Sequence, residues 1–127
     1  MDKTVFELGT IYINGIECNK TDNIEWQKHP KYHGVFTKSL FSGKDSSNNL
    51  SAMLVKVESN CEIGNHIHEG KAELHEVIYG EGITLVNNKS IAYKPGIVSL
   101  IPADVPHSVK ANDSGLVLLA KFTPPLN

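Results

Sequence analysis

Four of the six histidines in this 127-residue chain, His66, His68, His75 and His107, fall where short apolar runs dominate. The densest segment reads Gly64-Asn65-His66-Ile67-His68-Glu69-Gly70-Lys71-Ala72-Glu73-Leu74-His75-Glu76. His66 and His68 are two apart, so on a strand both imidazoles leave the same face. Their Cβ atoms then lie about 6–7 Å apart, a span two imidazoles can close onto one ion. Glu69-Gly70-Lys71-Ala72 makes a turn, and Glu73 opens the next strand, returning a carboxylate beside the pair. His107 offers a third imidazole behind the stiff stretch Ile101-Pro102-Ala103-Asp104-Val105-Pro106. Three imidazoles and one carboxylate suit Mn, Fe, Co, Ni, Cu or Zn and are the wrong set for Mg or Ca. Four protein ligands on a six-coordinate ion leave two positions open. A His-x-His pair alone is a weak signal, because a histidine on a strand is more often a surface or hydrogen-bonded residue.

Other side chains are placed by the same alternation. His75 lies two after Glu73 and shares its inward face. It is a candidate general base, a hydrogen-bond donor behind the carboxylate, or a substitute ligand; the plainer reading is a satisfied pocket histidine. Glu73 and His75 are thus the candidate catalytic residues. Tyr79 continues the same face and is expected in the core, with Glu76 pointing outward. Met53 and Val55 are expected to fill the interior, and Cys61 to act as a small buried hydrophobe. His29 and His33 sit in a polar stretch and are expected to be exposed. Trp26, Tyr32 and Phe36 are expected to cap one end of the fold or an interface.

The elements that must position these residues are short. No long helical period exists; apolar runs end at Gly, Pro, Asn or Asp. Strands are predicted at 10–13, 16–18, 34–41, 50–58, 63–68, 73–79, 83–87, 90–93, 97–101, 107–111 and 116–122, with a loop or short helix at 20–33. Many short strands at regular spacing predict an all-β sandwich or barrel. Ile13-Asn14-Gly15-Ile16 carries the Asn-Gly hairpin signal. In the 50–58 strand both alternate faces are largely apolar, as expected inside a two-layer fold.

Composition narrows the function. The net charge is −2 and all twelve basic residues are lysine. A near-neutral chain is a poor match for nucleic acid, and without arginine there is no planar fork to clamp a small anion. Two cysteines are too few for a disulfide framework. The first residues lack the apolar stretch of a signal peptide, and no apolar run is long enough to span a membrane, so a cytoplasmic protein is expected. The length predicts one domain over 1–127, with N-terminal strands and a loop over about 1–33 and a barrel over about 34–123.

The two histidine-bearing stretches resemble the paired motifs of the cupin superfamily. The first motif is Gly, five residues, His-x-His, three or four residues, Glu, six residues, Gly; His66, His68, Glu73 and Gly80 fit it. The second is Gly, five residues, Pro-x-Gly, two residues, His, three residues, Asn; Gly96, Pro102 and His107 fit it. Asn60 replaces the opening Gly, Asp104 the Gly of Pro-x-Gly, and Ala111 the closing Asn. The resemblance covers roughly 60–111, with strands extending it on both sides. It implies an all-β double-stranded β-helix, or jelly-roll barrel. It also implies one divalent transition metal held by His66, His68, Glu73 and His107. Small cupins of this kind include dioxygenases, isomerases and decarboxylases. Without arginine, a mononuclear dioxygenase is the leading enzyme expectation. The alternatives are a non-catalytic small-molecule or metal sensor, and a metal-dependent isomerase or lyase. A small-molecule ligand and a homodimer are the expected partners, the dimer forming at edges supplied by the N-terminal strands 5–18 and the last strand.

Overall fold

The computed structural model describes residues 3–127, and no α-helix occurs among them. The N-terminal hairpin joins β1 (Thr10–Ile13) to β2 (Ile16–Lys20) in a two-stranded sheet of its own. Its turn residues Asn14 and Gly15 have φ of 53° and 76°, the doubly positive pattern that Asn-Gly supplies. A 3-10 turn (Thr21–Asn23) and the brief β3 (Gln27–Lys28) lead to β4 (Val35–Phe41) and β5 (Ser51–Val57). β6 (Glu62–His66), β7 (Ala72–Val86), β8 (Lys89–Tyr93), β9 (Val98–Ile101) and β10 (His107–Thr123) complete the chain.

All pairing is antiparallel, and two long strands organise it. The C-terminal half of β10 lies between β5 and the N-terminal half of β7, with β4 and β3 beyond β5 and β9 beyond β7. The N-terminal half of β10 lies between β6 and the C-terminal half of β7, with β8 beyond. β7 and β10 thus run through both layers and bind them into one barrel. Val35, Val55, Val57, Val77, Tyr93, Val109, Leu116, Leu118 and Phe122 fill the space between.

The sequence divides each long strand in two, at 79–83 and 111–116; the structure does not. Gly80, Gly82 and Gly115 mark bends inside continuous strands, not ends. Gly80 has a φ of +80°, and a Cβ there would strike the Gly115 carbonyl. The pairing shifts between Ala111 and Leu116, so Asn112–Gly115 bulge out where β7 turns from one layer to the other. A second shift, between Val117 and Leu118, leaves Ile78 as an extra residue on β7. Inward alternation from Glu73 through His75 and Val77 therefore breaks there. Tyr79 is only half-buried and stays out of the central cluster, contrary to expectation.

The last strand is also not an edge. β10 is paired on both sides, and the open edges fall to short strands such as β3, β8 and β9. β5 is buried on both faces as expected, Met53, Val55 and Val57 inward and Ala52 and Leu54 outward. The outward side is covered by the N-terminal segment: buried Lys38 on β4 donates from Nζ to the Thr21 carbonyl (3.2 Å).

Candidate metal centre

Three strand ends bring the histidines and Glu73 together. β6 ends at His66, β7 begins one residue before Glu73, and β10 begins at His107. His107 pairs with His66 across the β6–β10 ladder, which sets those imidazoles side by side, their ring centroids 4.1 Å apart. The spacing predicts that His68 shares a strand face with His66, but the strand stops at His66. His68 lies beyond the end of β6, and exposed Ile67 separates the two. A tie between the two turns holds it instead. The Asp104 N–H donates to the His68 carbonyl (3.2 Å), and Asp104 Oδ1 accepts from the Gly70 N–H (3.0 Å). Asp104 has a φ of 67° and Asn60 one of 58°, so both residues that stand in for motif glycines keep the left-handed backbone.

Four donor atoms converge. His66, His68, Glu73 and His107 each offer one ligand atom, all within 4.8 Å of one another. His66 Nε2 is 3.2 Å from His68 Nε2; Glu73 Oε1 is 3.1 Å from His107 Nε2 and 3.4 Å from His68 Nε2. His66 Nδ1 donates to the Gly64 carbonyl (2.7 Å) and His107 Nδ1 to the Val105 carbonyl (2.9 Å). With the proton on Nδ1, a neutral ring turns its Nε2 lone pair to the cluster, the form a metal takes.

This arrangement calls for positive charge. Glu73 is 5% exposed and His107 2%. Burial alone would push the Glu73 carboxyl up, but bonds from His107, His68 and His75 outweigh it and hold the group well below the usual carboxylate range. Burial opposes the charge on His107, yet Glu73 and the Val105 carbonyl prevail and raise its pKa. Burial lowers His66, against the pull of the Gly64 carbonyl. Without a metal, a proton on His107 reconciles Nε2 with the anionic Oε1 facing it. A divalent ion does the same for all four donors at once, and the nitrogen-rich set fits a transition metal.

His75 stands behind this group. It is 3% exposed and lies off the cavity wall, with Nε2 2.7 Å from Glu73 Oε2 and Nδ1 2.9 Å from the Tyr93 hydroxyl. Tyr93 is not among the sequence candidates; its one signal is that a tyrosine on the buried phase of a strand needs a polar partner.

A cavity of about 270 Å³ opens over the cluster. Val35, Met53, Val55, Ile63 and Phe122 give it apolar walls, so Met53 and Val55 both pack the core and line this space. His66, His68 and Glu73 face it from one side, and Thr37 adds a hydroxyl. His29 lines it as well and is half-buried, whereas the polar stretch around it predicts exposure; only His33 is exposed. His29 Nδ1 accepts from the Lys31 and Tyr32 N–H groups (3.1 and 3.3 Å), which leaves Nε2–H free to donate. Burial lowers its pKa, with a contribution from Lys31.

The remaining candidates lie elsewhere. Glu76 points outward and meets Lys121 at 2.6 Å. Half-buried Cys61 packs against the core beside Gly34. Lys56 lies over the Trp26 and Phe36 rings, while the Tyr32 ring lies tilted against His29, their centroids 4.9 Å apart.

Comparison with known proteins agrees on the fold. The sequence profile of the cupin domain matches residues 53–120, more than half of the chain. No curated protein sequence matches it. Among solved structures it resembles a predicted oxalate decarboxylase from Thermotoga maritima (24% identity, TM-score 0.75, 80% of this chain and 94% of that one). It also resembles KdgF from a Halomonas species (20%, 0.74, 94% and 96%). A third is the polyketide cyclase RemF from Streptomyces resistomycificus (15%, 0.70, 84% and 76%). At these identities the structures establish the jelly-roll barrel and leave activity open. With its two histidine motifs, its antiparallel two-layer barrel and this profile match, the chain belongs to the cupin family.

Proposed function

We propose that this cupin holds one divalent transition-metal ion through His66, His68, Glu73 and His107 and acts there on a small, mainly apolar molecule. The convergence of three imidazole nitrogens and one carboxylate oxygen beneath an apolar cavity carries the reading. When bound, such an ion supplies Lewis acidity or redox chemistry at the positions the protein leaves open. The four side chains furnish three neutral donors and one negative charge. The walls hold the apolar body of the substrate and exclude water, while Thr37 and the His29 Nε2–H orient its oxygen atoms. No lysine lines this cavity and the chain has no arginine. A small dianion such as oxalate therefore finds no side-chain cation beside the metal, which favours a mononuclear dioxygenase over an oxalate-type decarboxylase.

A stand-alone binding or sensing role is the second reading. It is favoured by the scarcity of free acid–base groups: among the described residues, His29 is the only titratable group on the cavity wall outside the candidate metal cluster. Elemental analysis of the wild type beside a His66→Ala/His107→Ala variant tests both. Stoichiometric Fe, Mn or Cu, lost in the variant, supports oxygen chemistry, read next as oxygen uptake with small aromatic and enediol substrates. Stoichiometric Zn or Ni shifts the reading to an isomerase, lyase or binding protein. A compound that raises the melting temperature but is recovered unchanged supports binding. No metal after reconstitution overturns the site.

We propose as well a cytoplasmic protein whose functional unit is a homodimer. The dimer is supported by apolar surface outside the barrel: Val98 and Leu100 on β9 are each 65% exposed, and Val5 is 75% exposed. Two apolar pockets sharing Lys121 run from the N-terminal segment to β9.

A further inference from the structure

The two oxygens of Glu73 have different neighbours. Oε1 faces the cluster and lies near His107 and His68, whereas Oε2 faces away and meets only His75, at 2.7 Å. A carboxylate accepts and cannot donate, so His75 Nε2 carries the proton in that bond. In the neutral ring Nδ1 is then left to accept, and the Tyr93 O–H, 2.9 Å away, is the donor that meets it. The bonds run one way, from tyrosine to imidazole to carboxylate.

The fold builds this chain from both layers. His75 and Glu73 come from the N-terminal half of β7, and Tyr93 ends β8, where it pairs with Gly82 on the other half of β7. The Tyr93 ring meets the His75 ring edge-on, their centroids 5.8 Å apart. Tyr93 is 1% exposed and His75 3%, so water does not replace either bond. Burial raises the Tyr93 hydroxyl and keeps it a protonated donor.

We propose that Tyr93 and His75 form a positioning relay that commits Glu73 Oε2 to His75 and leaves Oε1 alone for the metal. The relay rests on the reading of the four-residue cluster as a metal site. A carboxylate held this way binds an ion through one oxygen. Freed of His75, it can turn and offer both, taking a position that an exogenous ligand would otherwise use. His75 and Tyr93 are positioning residues: neither lines the cavity, and both act through Glu73.

Cobalt(II), which has a visible ligand-field spectrum, is the probe. Wild type, His75→Leu, His75→Gln and Tyr93→Phe are titrated with Co²⁺, and the melting temperature of each metal-free protein is recorded. Wild type binds. His75→Leu loses about 10–100-fold in affinity and its visible band changes shape. His75→Gln, whose amide N–H still reaches the carboxylate, recovers part of both. Tyr93→Phe keeps the packing, loses less affinity and shifts the band in the same direction. Nitrogen-15 NMR of the metal-free protein finds His75 protonated at Nε2.

Variants that bind Co²⁺ like the wild type, with an unchanged band, overturn the relay even if they melt earlier. So does a His75 protonated at Nδ1. If His75→Leu does not fold, Tyr93→Phe and His75→Gln decide alone. Failure of the wild type to bind Co²⁺ is a different result: it overturns the metal reading, and the relay with it.

Discussion

Glu73 and His107 answer to opposite directions of pH. The His107 pKa is raised above its ordinary 6.5. Its contribution is therefore full below 6.5 and lost as pH rises through the higher folded value. Glu73 is held below its ordinary 4.5, so its contribution is present above that value and lost in acid. Lowered His66 and His29 penalise the fold only while the unfolded chain still protonates, up to about the ordinary histidine value of 6.5. Between 6.5 and the onset of tyrosine ionisation near 10, where the raised Tyr93 adds a loss of its own, the fall with pH isolates His107. The metal-free protein is expected to lose thermal stability as pH rises there. His107→Gln should lack that fall, and saturating metal should abolish it by replacing the proton. Thermal melts in chelator and in metal check this; a flat profile above 6.5 in the metal-free wild type contradicts it.

Two glycines separate strain from collision at the scale of an element. Gly80 and Gly96 both have positive φ, at 80° and 96°. Around Gly96 there is open space, so Gly96→Ala should cost only the backbone strain, about 1 kcal/mol. Gly80 faces the backbone of Gly115 where β7 and β10 cross between layers, so Gly80→Ala must also displace the central ladder. A loss of at least about 3 kcal/mol is expected there. Urea unfolding of both variants measures the difference; equal costs would show that the bend yields. Glycines at 80, 82 and 115 read as breaks in a sequence because glycine weakens an isolated strand. Here it permits close approach inside a strand whose pairing continues.

Taken whole, the molecule covers one outer side of its sheet and leaves another bare. The N-terminal segment shields Leu54, Val117 and Leu119, all 6% exposed or less, yet Val98 and Leu100 on β9 face solvent. A second copy laid over this side would bury them and cover an open edge. Light scattering at micromolar concentration should report a dimer, and Leu100→Asp with Val98→Asp should return it to monomer without loss of metal. A wild-type monomer refutes the assembly.

The all-β class, the turns and the residue types of the candidate donor cluster are legible in the sequence, the first two because they depend on short range. Alternation sets which side chains share a face, Asn-Gly sets a hairpin, and His-x-His with a nearby Glu sets the spacing of donors. The cupin motifs add His107 by resemblance. What only the tertiary structure decides are the relations between distant segments. His68 reaches the cluster through the Asp104 tie between two turns, not through a shared strand face. His29 comes from a polar loop to the cavity wall, and Tyr93 crosses from the other layer to complete a chain that ends on Glu73 Oε2. The last strand becomes the centre of the sheet because β5 and β7 both find their partners there. None of these leaves a local period: each is set by which strands pair, a choice made by burial of the whole core.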